Sequence, residues 1–231
     1  MVGKIIECSD YRHLSSKAHE ILNSDILETL KTKGYFTVAL PGGRSPQGLF
    51  DLLKDAEIPW QRIKLYFTDE RCLSPASNES NYNLIHRLLL RYINIPEKNI
   101  FRIKGEDGPE KAARDYDLIL KDTLDYPGFD LLILGLGHDC HIASLFPYSS
   151  LLKGKTGLVL PVFNAPVAPR VTITSTVIKS SKRVVLLVSG AEKKEAFKKL
   201  IDTKTSVEDC PGKLAYNHPN SIILYEFQTD I

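Results

Sequence analysis

Residues 129–147 read FDLLILGLGHDCHIASLFP. The first eight positions carry one charge, Asp130, and are otherwise apolar or glycine. A run this short and this apolar has the length and composition of a buried strand, and a strand buried on both faces belongs to a parallel sheet covered by helices. The run then leaves through Gly135-Leu136-Gly137 into four consecutive polar or reactive residues, His138, Asp139, Cys140 and His141. Chemistry at the carboxyl end of such a strand is where open α/β sheets hold their ligands.

The rest of the chain alternates in the same way. Residues 15–34, SSKAHEILNSDILETLKTKG, are expected to form an amphipathic helix with Ser15 or Ser16 near its start and Gly34 as its stop. YFTVAL (35–40) is a short buried strand, and PGGRSPQGLFDLL (41–53) a glycine turn opening a helix. RIKLYFTDE (62–70) is a second strand running out into charge, followed by a helix over 81–93, a short strand over 99–104 and a helix over 109–124. RVTITS (170–175), RVVLLVSG (183–190) and SIILYEF (221–227) are strand-like, and AEKKEAFKKLI (191–201) is helical. The expected fold class is α/β, a doubly wound, mainly parallel sheet with helices on both faces. Without repeats, low-complexity segments or Pro/Gly/Ser linkers, residues 1–231 are read as one domain.

Composition removes whole classes of function. A net charge of +2, with 43% hydrophobic and 25% charged residues, argues against a dedicated nucleic-acid or membrane surface. No apolar run approaches the ~20 residues of a membrane span, and MVGKIIECSD has no signal-peptide core. Cys8, Cys72, Cys140 and Cys210 are far apart and form no CxxC pair, which fits reduced thiols in a cytoplasmic protein.

Polar residues gather just past several strand ends. In PGGRSP, Gly42 and Gly43 let the backbone approach a ligand, with Ser45 as the expected N-cap and Pro46 as the first helical residue. Free amides at a helix N-terminus favour phosphate, although the same letters also describe a plain strand-to-helix turn. The loop is neither GxGxxG nor GxxxxGK[ST], so it suggests neither a dinucleotide nor a nucleoside triphosphate. In TDER, Arg71 is suited to a bidentate phosphate clamp, with Asp69 and Glu70 orienting it or each other; a solvated charge cluster is the plainer reading. Lys193 adds a cation where a helix opens after Ser189-Gly190, and Arg170 follows APVAP. Both also fit ordinary surface cations. For His138–His141 the options are a metal site, a cysteine nucleophile, a histidine base supported by Asp139, or a polar helix-capping loop. Adjacent residues on an extended loop diverge, and His13, His19, His86 and His218 are scattered, which weighs against zinc.

Taken together, these motifs resemble the 6-phosphogluconolactonase family over about residues 36–196. LPGGRSPQGLFDLL is similar to its glycine-rich sugar-phosphate loop, and WQRIKLYFTDERCL with SNYNLIHRLLL to its Trp, DER and SNY block. GLGHDCHIASLFP is similar to the family's GLGxDGHTASLFP, while APRVTIT and SGAEKKEAF match later arginine and G-x-x-K segments. The resemblance implies a Rossmann-like fold and hydrolysis of a sugar-phosphate lactone without metal or organic cofactor. It makes His141 the general base and Asp139 its acidic companion. It puts Arg71 and Lys193 on the phosphate, lined by Gly42, Gly43 and Ser45, with Asp69, Asn81 and Arg170 also at the substrate pocket. It adds no nucleic-acid or membrane partner, and a monomer is the simpler oligomeric expectation. Three departures matter. Cys140 stands where the family has glycine, so a left-handed backbone there would be strained by about 1 kcal/mol. Ile142 replaces a threonine, and the C-terminal segment lacks the family's usual tryptophan. The related glucosamine-6-phosphate deaminases carry DEY where this chain has DER. They and a non-catalytic sugar-phosphate-binding protein are the alternatives.

Overall fold

The computed structural model describes residues 3–153 and 156–228. The chain runs β1 (Lys4–Glu7), α1 (Tyr11–Thr29), β2 (Phe36–Leu40), α2 (Gln47–Lys54), β3 (Ile63–Phe67), β4 (Asp69–Arg71), α3 (Asn81–Leu88), β5 (Ile100–Phe101) and α4 (Pro109–Thr123). It continues through β6 (Leu131–Gly135), β7 (Val159–Val162), β8 (Arg170–Ile173), α5 (Ser175–Ser180), β9 (Arg183–Ser189), α6 (Lys194–Ile201), α7 (Lys213–Tyr216) and β10 (Ser221–Glu226). Residues 1–2, 154–155 and 229–231 of the expected domain lie outside the described residues.

Seven strands pair in the order β1-β10-β9-β6-β2-β3-β5, every neighbouring pair parallel. Each residue of β2 is buried, as are the first four of β6, so both faces of the sheet are covered. The doubly wound α/β expectation therefore holds. From β2 the chain winds one way through β3 and β5, and from β6 the other way through β9 and β10. The β2–β6 junction is the topological switch point, where the carboxyl ends open a crevice.

Several local expectations are corrected. Helix α1 begins at Tyr11, because the Asp10 carboxylate accepts from the His13 amide at 2.8 Å and caps it earlier than Ser15. Leu14, Ala18, Leu22 and Ile26 form its buried stripe, and Ser15 sits inside it, donating to the Tyr11 carbonyl. Ser45 is not an N-cap: α2 starts at Gln47 with Pro46 before it and no side-chain cap. The run expected as one strand over 62–70 breaks at Thr68. Its amide donates to Leu40 in the large sheet at 3.2 Å, and its carbonyl accepts from Ile173 of β8 at 3.0 Å. Beyond that joint, β4 joins β8 and β7 in a separate antiparallel sheet, so 170–173 is not part of the parallel sheet.

Candidate active site

A cleft of about 150 Å³ opens at the switch point, walled by the segments after β2, β6 and β9 and by the small sheet. Gly42, Gly43, Ser45, Asp69, Arg71, Asn81, His141, Arg170 and Lys193 all line it. Residues separated by up to 151 positions in sequence are thus gathered at one sheet edge. Asp139 stands behind His141: Nδ1 of the ring lies 2.5 Å from Asp139 Oδ1, and the His141 amide donates to the same oxygen at 3.1 Å. Burial pulls the Asp139 carboxyl upward, but the hydrogen bond and charge of His141 outweigh it and bring it down to about 2. An ionised carboxylate can only accept, so Nδ1 carries the shared proton. In the neutral ring Nε2 is then the basic nitrogen. Phe146 flanks the ring at 4.8 Å between centroids.

Two backbone features make this pair possible. A Cβ on Gly137 would lie 2.1 Å from His141 Nδ1 and 2.7 Å from Asp139 Oδ1, so only glycine leaves room for the pair. Cys140 then takes φ 74°, the left-handed conformation its family position implies. Its side chain turns into the core, fully buried, donating to the Ala196 carbonyl at 3.2 Å beside the Cys210 thiol. Burial removes it from reach of solvent oxidants and from the cleft. His138 is exposed at the cleft rim, so the four residues His138–His141 point to three different places. Among the described residues, no group of three or more His, Cys, Asp or Glu is arranged to hold a metal ion.

Cations also line the cleft. Arg71 and Arg170 are directly paired residues of β4 and β8. Their buried Nε atoms have no hydrogen-bond partner. Arg71 Nη1 donates to the Glu79 carbonyl and lies 3.6 Å from the Glu79 carboxylate. Burial, then the Arg71 charge, lowers the Arg170 pKa against the pull of Asp69. The Lys193 ammonium is likewise lowered by burial.

The acids of TDER act differently from the sequence reading. Asp69 does not orient Arg71. It accepts from Ser144 Oγ at 2.6 Å and lies 3.9 Å from Arg170 Nη1, with Ser144 also 3.4 Å from that nitrogen. Glu70 faces away, accepting from the amides of Arg71, Asn81 and Tyr82 and from Ser80 Oγ, so it anchors the start of α3. Asn81 donates to the Asp69 carbonyl at 2.9 Å, and a Cβ on Gly42 would strike its side chain at 1.9 Å. Gly42 therefore makes room for Asn81, while Gly43, at φ 85°, faces open space.

Arg44, Ser189 and Glu192 fall in segments past strand ends without a role read from sequence, and neither Ser144 nor Glu226 is singled out there. Arg44 and Glu192 line the cleft and pair at 2.8 Å. Buried Glu226 accepts from Ser189 Oγ and the Gly190 amide, fixing the loop that carries Lys193. Glu192 was findable beside Lys193; Glu226, inside an apolar strand pattern, was not.

The family model described as glucosamine-6-phosphate isomerases/6-phosphogluconolactonase matches residues 9–224. A 6-phosphogluconolactonase of Synechocystis sp. is 32% identical over 206 residues, covering 87% of this chain and 85% of that protein. A 6-phosphogluconolactonase crystal structure from Thermotoga maritima superposes with TM-score 0.84 at 27% identity, over 96% of this chain and 98% of the other. A monomeric glucosamine-6-phosphate deaminase superposes with TM-score 0.82 at 26% identity, over 96% of each chain.

Proposed function

The chain belongs to the glucosamine-6-phosphate isomerase/6-phosphogluconolactonase family, and on that premise we propose that it hydrolyses 6-phospho-D-glucono-1,5-lactone to 6-phosphogluconate. The observation that carries the reading is the His141–Asp139 pair at a cleft that Arg71, Arg170 and Lys193 also line. Arg71, Lys193 and the amides of the Gly42–Ser45 loop hold the phosphate, and Arg170, set by Asp69 and Ser144, completes the cationic wall. The lactone ring then lies with its C1 carbonyl toward His141. Nε2 of neutral His141 takes a proton from water as the water oxygen attacks C1, and Asp139 supports the charge that forms. When the tetrahedral intermediate collapses, the C1–ring-oxygen bond breaks and His141 returns its proton to the departing oxygen. A positioned base contributes roughly 10²–10⁴-fold, a sufficient gain for a lactone that already hydrolyses unaided.

This chemistry draws on residues of one chain, and the four cysteines are free thiols. The free thiols support a reduced, cytoplasmic enzyme, and a monomer is the simpler expectation. No helix among the described residues is long and apolar enough to cross a membrane. The test is a coupled assay with freshly generated 6-phosphogluconolactone, following 6-phosphogluconate against spontaneous decay. Acceleration that is much weaker on unphosphorylated gluconolactone supports the reading. A rate equal to spontaneous decay refutes it, and ammonia release from glucosamine 6-phosphate would point to the deaminase branch instead.

A further inference from the structure

We propose that Glu192 is a resident counter-anion, competing with the incoming phosphate for Arg44 and thereby setting how tightly phosphate-bearing ligands are held. The inference rests on the phosphate site proposed above. Arg44 belongs to the loop after β2 and Glu192 to the loop after β9, and β6 lies between those strands in the sheet. Two strand spacings amount to roughly 10 Å, so the 2.8 Å ion pair bridges the loops on either side of β6. Both side chains line the cleft.

The loop is shaped around this carboxylate. Gly190 has φ 107°, and a Cβ there would lie 2.3 Å from Glu192 Oε2. The side chain therefore folds back over the glycine toward Arg44, while 37% of it stays open to solvent. Lys193 feels the same group: burial lowers its pKa, Glu192 opposes that, and Arg44 adds to the lowering. Arg44, Glu192 and Lys193 thus form a plus-minus-plus set. A phosphate dianion held by Arg71, Lys193 and the loop amides draws in Arg44 as a further donor, so Arg44 turns from Glu192 to the phosphate while Glu192 repels the newcomer. The product carries the same phosphate and a new carboxylate. Its release is eased by an acid ready to take Arg44 back.

The test is calorimetric titration of inorganic phosphate and of 6-phosphogluconate into the wild type, Glu192→Gln, Arg44→Ala and the double variant. Glu192→Gln is expected to bind both ligands about three- to fivefold more tightly, the range of a partly exposed ion pair. It should also lower KM and kcat for the lactone together as release slows. In the Arg44→Ala background the same change should lose most of its effect. Weaker or unchanged binding in Glu192→Gln overturns the proposal, as does an equal effect with and without Arg44. A wild type that binds phosphate and responds to Glu192→Gln, yet leaves the lactone untouched, would sink the functional reading while sparing this one.

Discussion

Replacing Cys140 with glycine sets backbone strain against packing, and the structure decides the sign. From the family pattern alone, a left-handed Cys140 makes Cys140→Gly neutral or stabilising. The backbone does adopt φ 74°, so glycine should relieve about 1 kcal/mol. The side chain, however, is fully buried, with its sulfur 3.2 Å from the Ala196 carbonyl. Removing its two heavy atoms forfeits about 1–2 kcal/mol of burial and leaves a small void. Glycine's extra freedom in the unfolded chain costs about 0.5–1 kcal/mol more. The sum is a loss of about 1 kcal/mol, which in a chain of this size lowers the melting temperature by roughly 2–4 °C. Urea unfolding should show a lower midpoint with an unchanged slope. Cys140→Ala, which keeps the strain and loses only the sulfur, should fall within about 0.5 kcal/mol of Cys140→Gly, because relieved strain and added entropy nearly offset. A glycine variant melting above the wild type would refute the packing argument and show that strain dominates.

His141→Ala should lower kcat by roughly 10²-fold or more with a smaller change in KM; near-normal turnover in a folded variant removes His141 as the base. Gly137→Ala should be nearly as damaging, since its methyl would occupy the space of the His141–Asp139 contact; full activity would show that the contact is dispensable. Arg71→Ala should raise KM for the phosphorylated lactone about tenfold and leave unphosphorylated gluconolactone unaffected, measured as the ratio of kcat/KM on the two. The Asp139 carboxyl is held down to about 2, so it adds stability that is present above the usual carboxylate range and lost as pH falls through that value. Because the group is partly exposed, that stability is about 1 kcal/mol after screening, and the urea midpoints of the wild type and Asp139→Asn should converge under acid.

The large sheet was legible because parallel strands buried on both faces are written as unbroken apolar runs, as in FTVAL and LLILG. β1 was missed because Lys4–Glu7 is a four-residue edge strand with mostly exposed side chains. β7 was missed because its run contains Pro161, which a parallel interior strand would reject and a short antiparallel edge accepts. The two-sheet split turns on one residue, Thr68, whose backbone bonds to both sheets, and no periodicity signals such a joint. At the site, residues on ligand-facing loops could be read from residue type and position. The supporting contacts were hidden, because Ser144 reaches Asp69 across 75 positions and Glu226 reaches Ser189 across 37.

The register of the small sheet sets Arg71 opposite Arg170, two guanidinium groups on neighbouring strands in a half-buried wall. Asp69, 3.9 Å from Arg170, and Glu79, 3.6 Å from Arg71, offset part of this repulsion, and a negative ligand between the two guanidinium groups would offset more. Occupancy and folding are therefore thermodynamically linked: a phosphate-bearing ligand at about a hundred times its dissociation constant would add roughly 2.7 kcal/mol of stability. In a cell the resistance of this protein to proteolysis would then follow the supply of sugar phosphate.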